Sequence, residues 1–501
     1  MDEKLKSRRS FLKAVGITGL SLAIPFTRCK NSASKRRPNI LFLFSDDQRW
    51  DALGCAGNPV IQTPNQDRLA AEGIMFENSF VTTSICCVSR ASVLSGQYAR
   101  RHGINDFEKM FSDAAMAQTY PAILRDHGYY TGFIGKWGIG ANYLEKVDKA
   151  SEFFDFWGGD SFQANYWHDK DCPYVTNNGV DHKTDNKCTC SPKGSYPRTG
   201  HKGMAHPLHT TTQVVPHKVE QFLQSADRNK PFCLSISFKA SHAPWQDYPE
   251  SLATMYKDEA MPIPDTATPE EAAKLPAFLR KSLESDRGAK LVRDHDMLSE
   301  MMRQYYRLIT ALDISIGKIR ELLSQYGVAE NTVIIFSSDN GHYLGEHGLF
   351  GKWLAHEPSI RVPTIIYDPR LPAEIRGQRR QQMILNIDFA PTMLEMAGVA
   401  IPDKMQGKSL TPLLRGNPDR WRDDWYYEHD YIHGGAIVPC QGVRTNRWKY
   451  IRYYNQQPIH EELYDLQTDS EERNNLVNEK KYQNKLAEMR KKWSDFRKGL
   501  K

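Results

Sequence analysis

The chain reads as an α/β protein: one large, mixed but mostly parallel β-sheet with helices on both faces, followed by a small C-terminal α+β subdomain with an antiparallel sheet. Three observations lead there. First, continuous apolar runs at residues 39–44, 232–238, 332–337 and 362–367 have the length and composition of strands buried on both faces. Second, helical periodicity lies between them, at 120–127, 214–226 and most clearly 297–326. Buried strands alternating with helices build a mainly parallel sheet. Third, the pattern changes after about Asn417, where aromatic and alternating segments at 425–431, 442–454 and 462–466 precede a charged helix at 480–498. That succession predicts a small antiparallel sheet with one helix packed on it.

These elements divide the chain into an export signal and linker over 1–37, a catalytic domain over 38–416 and a C-terminal subdomain over 417–501. With 501 residues, 40% of them hydrophobic, the chain can bury a large core and is no disordered protein. Its net charge of +6 is local to the start: ten Lys or Arg through Arg37 face only Asp2 and Glu3, a net +8 that leaves 6 − 8 = −2 for the body. A folded part without a positive field excludes a general nucleic-acid binder.

The run Ser7-Arg8-Arg9-Ser10-Phe11-Leu12-Lys13 precedes an interrupted apolar stretch over 14–26. A basic head before a short apolar run is the pattern of an export signal, here similar to a twin-arginine signal. The expected location is periplasmic or extracellular. Cys29 would allow a lipid anchor there, so contact with a membrane is expected only through an N-terminal tether.

Nine cysteines in a chain of this length do not make a disulfide scaffold. Cys172, Cys188 and Cys190 cluster in a polar stretch and predict one loop-closing disulfide in an exported protein. A zinc site with His168, His182 or His201 is the alternative. The stretch 248–293, rich in Pro, Lys and Glu, predicts a surface excursion near the substrate mouth.

Chemistry-bearing residues collect where open parallel sheets place their sites, at the carboxyl ends of strands. Asp46-Asp47 ends the first predicted strand and Asp339-Asn340 ends the one at 332–337. Four hard oxygen-bearing side chains suit calcium or magnesium rather than zinc. Between them in sequence, Cys86 stands where a turn enters a helix, with Arg90 one helical turn on. Both the helix N-terminus and the guanidinium favour an anionic nucleophile or substrate. A buried thiol or a Cys86-Cys87 disulfide is the ordinary alternative.

Cys86-Cys87-Val88-Ser89-Arg90 with Gly96 resembles the signature of the type I sulfatases, the formylglycine-dependent members of the alkaline phosphatase superfamily. The likeness continues through Asp46-Asp47, Gly135-Lys136-Trp137, His242-Ala243-Pro244, Asp339-Asn340-Gly341 and Gly351-Lys352. It extends to 443–450 and 462–465, so it spans nearly the whole chain from Pro38. The resemblance implies an alkaline phosphatase-like fold and hydrolysis of sulfate esters. It also implies that a formylglycine-generating maturation enzyme converts Cys86 to 3-oxoalanine (Cα-formylglycine), whose hydrated aldehyde attacks sulfur. Asp46, Asp47, Asp339 and Asn340, together with the modified Cys86, would hold Ca2+ in preference to Mg2+. Arg90 would orient the nucleophile, while Lys136, His242 and Lys352 would grip the sulfate. His242 is the first choice for protonating the leaving alcohol, with Lys352 next. The exported relatives that the chain resembles imply a sulfated polysaccharide or oligosaccharide as substrate.

Two departures stand out. Val88 replaces the usual Pro or Ala of the signature, and Gly138 stands where many relatives carry a histidine two residues after the lysine. His102 or His209 is the expected substitute for that histidine. Trp157, Phe162, Tyr166, Trp167 and Trp245 are candidates for stacking on sugar rings. His347 is a candidate pocket residue without an assigned step, and His356 and Glu357 are expected to be structural. The competing readings are a phosphodiesterase or phosphonate hydrolase of the same superfamily, and a non-catalytic protein that binds sulfated glycans.

Overall fold

Alternation along the first strand sets the architecture. In β1 (Asn39–Ser45), Leu41 and Leu43 point into one apolar core and Ile40, Phe42 and Phe44 into another, so the strand is covered on both faces. Such a strand occupies the middle of a sheet, and β1 lies between two parallel neighbours. The computed structural model describes residues 36–140, 149–160, 165–180, 190, 200–201, 204–416, 418 and 420–500. The export leader, apart from Arg36 and Arg37, lies outside them, as do Phe162, His182 and Cys188.

The main sheet has eight strands. After β1 they are β2 (Ile74–Phe76), β3 (Tyr130–Lys136), β4 (Phe156–Asp160), β5 (Phe232–Ser237), β6 (Thr332–Ser338), β7 (Thr364–Tyr367) and β8 (Gln378–Arg380). Their order is β8-β2-β7-β6-β1-β5-β3-β4, and only β7 runs against its neighbours. The carboxyl ends of β1, β3, β5 and β6 therefore share one edge.

Helices α1 (Pro64–Glu72), α4 (Val215–Ser225) and α5 (His295–Gln325) pack on the Leu41 face. Helices α2 (Cys86–Ser95), α3 (Tyr120–Asp126) and α6 (Phe389–Met396) cover the Phe42 face. The 31-residue α5 begins at an Asp294 cap, whose side chain accepts from the Met297 amide, and buries a long apolar stripe.

The C-terminal segment builds a four-stranded antiparallel meander: β9 (Asp424–His429), β10 (Cys440–Thr445), β11 (Trp448–Tyr453) and β12 (His460–Asp465). The single alternating run at 442–454 thus turns at Asn446-Arg447 and forms two strands. Helix α7 (Gln483–Gly499) packs Leu486 and Met489 into the core beneath this sheet. Residues Arg37–Lys501 form one compact unit. No helix among the described residues is long and apolar enough to cross a membrane.

The segment at 248–293 is more than a surface excursion. It carries short helices at Pro269–Lys274 and Leu283–Leu291 and buries Met261, Leu279 and Leu291. A Cβ on Gly288 would stand 2.2 Å from the carbonyl oxygen of Gly348, so this helix lies directly against the loop that leads to Lys352.

Candidate active site

The shared sheet edge gathers acids from two strands. Asp46 and Asp47 follow β1, and Asp339 and Asn340 follow β6, all of them buried. Asp47 takes the left-handed conformation at φ 61, which non-glycine residues rarely adopt. The turn is held by the Asp47 amide donating to Asp339 Oδ1 at 3.1 Å and the Tyr305 hydroxyl donating to the Asp47 carbonyl at 2.7 Å.

Three cations project onto these acids from elsewhere. Arg90 donates through Nε and Nη2 to Asp339 Oδ2 at 3.0 and 2.7 Å, and through Nη1 to the Lys136 carbonyl and the Ser237 hydroxyl. Lys136, at the end of β3, donates to Asp46 Oδ2 at 2.5 Å, and Lys352 donates to Asp47 Oδ1 at the same distance. Lys352 is aimed by its neighbours, since Gly351 at φ 127 and Trp353 at φ 85 bend the backbone on either side of it. His242, three residues beyond Lys239 after β5, directs Nε2 to 3.7 Å from Asp47 Oδ2. Its Nδ1 lies 2.7 Å from the Ala243 carbonyl and must donate to it. At 25% side-chain exposure, His242 is the member of this group that reaches solvent.

Cys86 opens helix α2 after an extended Ile85, with Arg90 one turn later on the same face. Arg90 and Lys352 are both electrostatic neighbours of Cys86, which places that residue beside the charged group. Cys87 packs in an apolar cluster with Ile85, Val88 and Trp353, and burial pushes its thiol well above the usual range. Both are free thiols, so the ordinary alternative of a Cys86-Cys87 disulfide is not realised.

The acid cluster is tightly paired with cations yet leaves two oxygens unused. Burial would raise the Asp46 carboxyl, but Lys136, His242, Arg90 and Lys352 hold it far below the carboxylate range. Asp339, buried and beside Asp46, is pushed up to about 6 despite Arg90. Asp46 Oδ1 and Asn340 Oδ1 are buried with no hydrogen-bond partner. Oxygens of Asp46 and Asp47 and a His242 nitrogen all lie within 4.8 Å of one another. Orphaned hard oxygens among crowded carboxylates fit a divalent cation of the calcium type.

The structure thus brings together Asp46, Asp47, Cys86, Arg90, Lys136, His242, Asp339, Asn340 and Lys352. It does not bring in the expected substitutes for the missing histidine. His102 is held by the Ser92 hydroxyl at 3.0 Å and the Ile104 amide at 3.1 Å, and His209 by the Asp247 carbonyl at 3.0 Å and Thr212. Burial lowers both to about 3. Gly138 has its own reason to be glycine: at φ +74, a Cβ there would lie 3.2 Å from Arg90 Cδ and 3.3 Å from Lys136 Cε.

The aromatic candidates for sugar stacking also require correction. Trp157 is packed among Phe133, Trp137 and Phe154, and Tyr166, Trp167 and Trp245 are buried too. Tyr166 has another use, donating its hydroxyl to the His242 carbonyl at 2.6 Å.

His347 bonds the Glu471 carbonyl, His356 bonds Glu462, and Glu357 pairs with Lys449, so these three tie the segment around Lys352 to the C-terminal residues, the last two to the sheet itself. In the same way the Tyr427 hydroxyl donates to the Trp353 carbonyl at 2.5 Å and accepts from the Ser84 amide.

Two residues of this edge escape sequence reasoning. His342, two positions after Asn340, is buried against Trp245 and Phe350, and burial holds it at about 4 near Asp47 and Lys352. Lys239 is buried over the Tyr166 ring and lowered to about 8 by burial, with Lys136 next in effect. Their spacing from Asn340 and His242 is the only signal the sequence carries for them.

Comparison with known proteins agrees with this geometry. The profile of the sulfatase family matches residues 38–399, and that of the N-sulphoglucosamine sulphohydrolase C-terminal region matches 345–499. The chain is 31% identical to an arylsulfatase of Clostridium perfringens over 91% of its own length and 93% of that protein. It is 29% identical to an N-acetylglucosamine-6-O-sulfatase of Bacteroides thetaiotaomicron over 93% of its length and 88% of that protein. Among solved structures, BT4656 in complex with its substrate D-glucosamine-2-N,6-O-disulfate superposes with a TM-score of 0.72 at 27% identity, covering 93% of this chain and 98% of that one.

Proposed function

Because the chain belongs to the sulfatase family, and is therefore a sulfuric ester hydrolase, we propose that it removes sulfate from sulfated carbohydrate at the edge built by β1, β3, β5 and β6. One juxtaposition carries the reading: a cysteine-led helix faces a buried acid cluster that retains two unpartnered oxygens. The carbohydrate substrate is supported by relatives named for sulfated sugars, including the N-acetylglucosamine-6-O-sulfatase and an ulvan-active sulfatase of Formosa agariphila.

Asp46, Asp47, Asp339 and Asn340 would hold a calcium ion, which when bound supplies positive charge to a sulfate oxygen and to the nucleophile. Conversion of Cys86 to formylglycine by a maturation enzyme would supply a hydrated-aldehyde nucleophile with a second hydroxyl for regenerating the aldehyde.

The chain's own side chains do the rest. Arg90 is fixed by Asp339 and the Lys136 carbonyl, so its guanidinium cannot swing away from position 86. Lys136 and Lys352 present ammonium groups that grip an anionic ester by charge-assisted hydrogen bonds and meet charge as it develops. Burial would lower Lys352, but Asp47 and its neighbours hold its proton firmly, which makes it a binding group.

His242 donates Nδ1–H to Ala243, so only Nε2 can carry a proton to the leaving oxygen. Burial lowers His242 to about 4 while Asp46 and Asp47 favour its protonated form. An arriving sulfate ester adds negative charge to theirs, so substrate binding charges the acid where it is used.

Export to the periplasm or beyond, with an optional tether at Cys29, belongs to the same reading and rests on the Arg8-Arg9 leader. The test is sulfate release from a panel of defined sulfated oligosaccharides by protein made beside a formylglycine-generating enzyme, with a phosphonate monoester as comparator. Turnover of one or more sulfated sugars, abolished in Cys86→Ser, is expected. Preference for the phosphonate, or binding of sulfated sugars without turnover, would overturn the proposal.

A further inference from the structure

A second cluster of metal-ligating side chains lies on the neighbouring wall. The strand Trp167–Asp169 pairs antiparallel with Pro207–His209, and residue 172 opens the short helix that follows it. His168 and Cys172 are buried, and Cys172 Sγ lies 3.7 Å from His168 Nδ1. Cys190 returns to the same spot, where its Sγ accepts the Asp169 amide at 3.3 Å. One ligating atom from each of His168, Cys172 and Cys190 falls within 4.8 Å of the other two. No disulfide joins Cys172 to Cys190, so the expected loop-closing bridge is not found between them. His201 takes no part in the cluster; it bonds Glu250 and packs on Trp167.

We propose that His168, Cys172 and Cys190 bind a zinc ion that staples Cys190 to the strand and short helix carrying His168 and Cys172. Two sulfurs and one imidazole nitrogen are the soft donor set that selects zinc over calcium. In a tetrahedral site with Zn–S of about 2.3 Å and Zn–N of about 2.0 Å, sulfur and nitrogen stand about 3.5 Å apart. The observed 3.7 Å already meets that spacing.

The nearby carboxylate is already engaged. The Asp169 carboxylate accepts from the Ala205, His206 and Asp171 amides. The Asp169 amide donates to Cys190 Sγ as it would to a metal-bound sulfur, and the buried Lys218 ammonium packs over Tyr174 close to Cys172. Tyr174 stacks on the His168 ring at 4.7 Å and fixes its plane. Binding releases the two thiol protons to solvent and leaves the fourth position to water. The staple bears on catalysis through Tyr166, two residues before His168, whose hydroxyl supports the His242 carbonyl.

The test uses the full chain, stripped with a chelator and titrated with cobalt(II) and then zinc(II), with bound metal counted by elemental analysis. The expected result is one thiolate-to-cobalt charge-transfer band per chain, displaced by one equivalent of zinc. Cys172→Ser and Cys190→Ser should lose the band while keeping the far-ultraviolet dichroism, and Cys86→Ser should keep it. His168→Cys should retain it at about 1.5 times the intensity, since three thiolates replace two. Absence of the band in the unmodified chain overturns the proposal without reference to any variant. So does its survival in both cysteine variants, or an intact mass two hydrogens lower with a Cys172–Cys190 crosslinked peptide.

Discussion

Replacing Lys352 with methionine separates what this residue does for the fold from what it does for the reaction. Its ammonium lies 2.5 Å from Asp47 Oδ1, with side-chain exposures of 7% and 5%. At an effective dielectric of 20, that separation gives a gross attraction of about 7 kcal/mol. Much of it is offset by desolvation, and removing one member of such a buried pair costs about 3–5 kcal/mol because the other charge is stranded. Methionine keeps the volume of the stem, so the loss is electrostatic. With calcium bound, Asp47 has another positive partner, and the cost should fall below about 1.5 kcal/mol, the ordinary range for a volume-conserving swap. The kinetic loss does not fall with it, since the ammonium meets charge that develops on the departing group: kcat should drop about 10²–10³-fold at saturating calcium. Urea unfolding followed by circular dichroism, in a calcium chelator and in millimolar calcium, gives the first pair of numbers, and initial rates of sulfate release give the third. Equal destabilisation in the two conditions would refute the cation's place beside Asp47. A fall in kcat of less than about tenfold would refute the role of Lys352 in charge stabilisation.

Four other outcomes are expected. Cys87→Ser should retain turnover within a few-fold, measured as sulfate release, because Cys87 packs in an apolar cluster with Ile85, Val88 and Trp353. Gly138→Ala should cost about 1–2 kcal/mol through its left-handed φ. By displacing Arg90 or Lys136 it should also slow turnover by up to about 100-fold. A variant with unchanged kcat would contradict that crowding. Glu284, beside the Lys352 loop, is pushed up to about 7 by burial from its ordinary value of 4.5. Its folded pKa is the higher one, so its ionisation penalty is absent below pH 4.5, grows between 4.5 and 7 and is constant above. Glu284→Gln should therefore raise the unfolding midpoint at pH 8, by up to about 3 kcal/mol in stability, and leave it nearly unchanged at pH 4.5. Finally, calcium should raise the thermal midpoint of the unmodified chain, and Asp339→Asn should weaken that response.

The parts of the fold that the sequence discloses are those whose physics is one-dimensional. Strands β1, β5 and β6 are buried on both faces and so read as unbroken apolar runs, and the acids that end β1 and β6 mark the sheet edge without further help. The run at β7 reads the same in either direction, and only its pairing with β6 shows that it is reversed. Strand β4, Phe-Trp-Gly-Gly-Asp, and the three-residue β2 and β8 carry too few apolar residues to announce themselves.

At the site, residue types at strand ends and a helix start are legible, whereas partners are not. Asn386, which donates to Ser89 at 2.9 Å, reaches the cysteine-led helix, and Tyr427 reaches Ser84 just before it, each from over 290 residues away in sequence. His102 and His209 are reasonable candidates by type, and only their occupied ring nitrogens remove them.

The central claim is that Cys86, and not Cys87, becomes the nucleophile of a sulfate ester hydrolase. The tryptic peptide from Leu69 to Arg90 contains both cysteines and no other. Tandem mass spectrometry of that peptide, from protein expressed beside a formylglycine-generating enzyme, measures the claim directly. The expected peptide, if Cys86 is converted as proposed, has lost one sulfur and two hydrogens and gained one oxygen, with fragment ions placing the change at Cys86, in a preparation that releases sulfate. An unmodified thiol at position 86 in protein that still releases sulfate, or the change placed at Cys87, would contradict it.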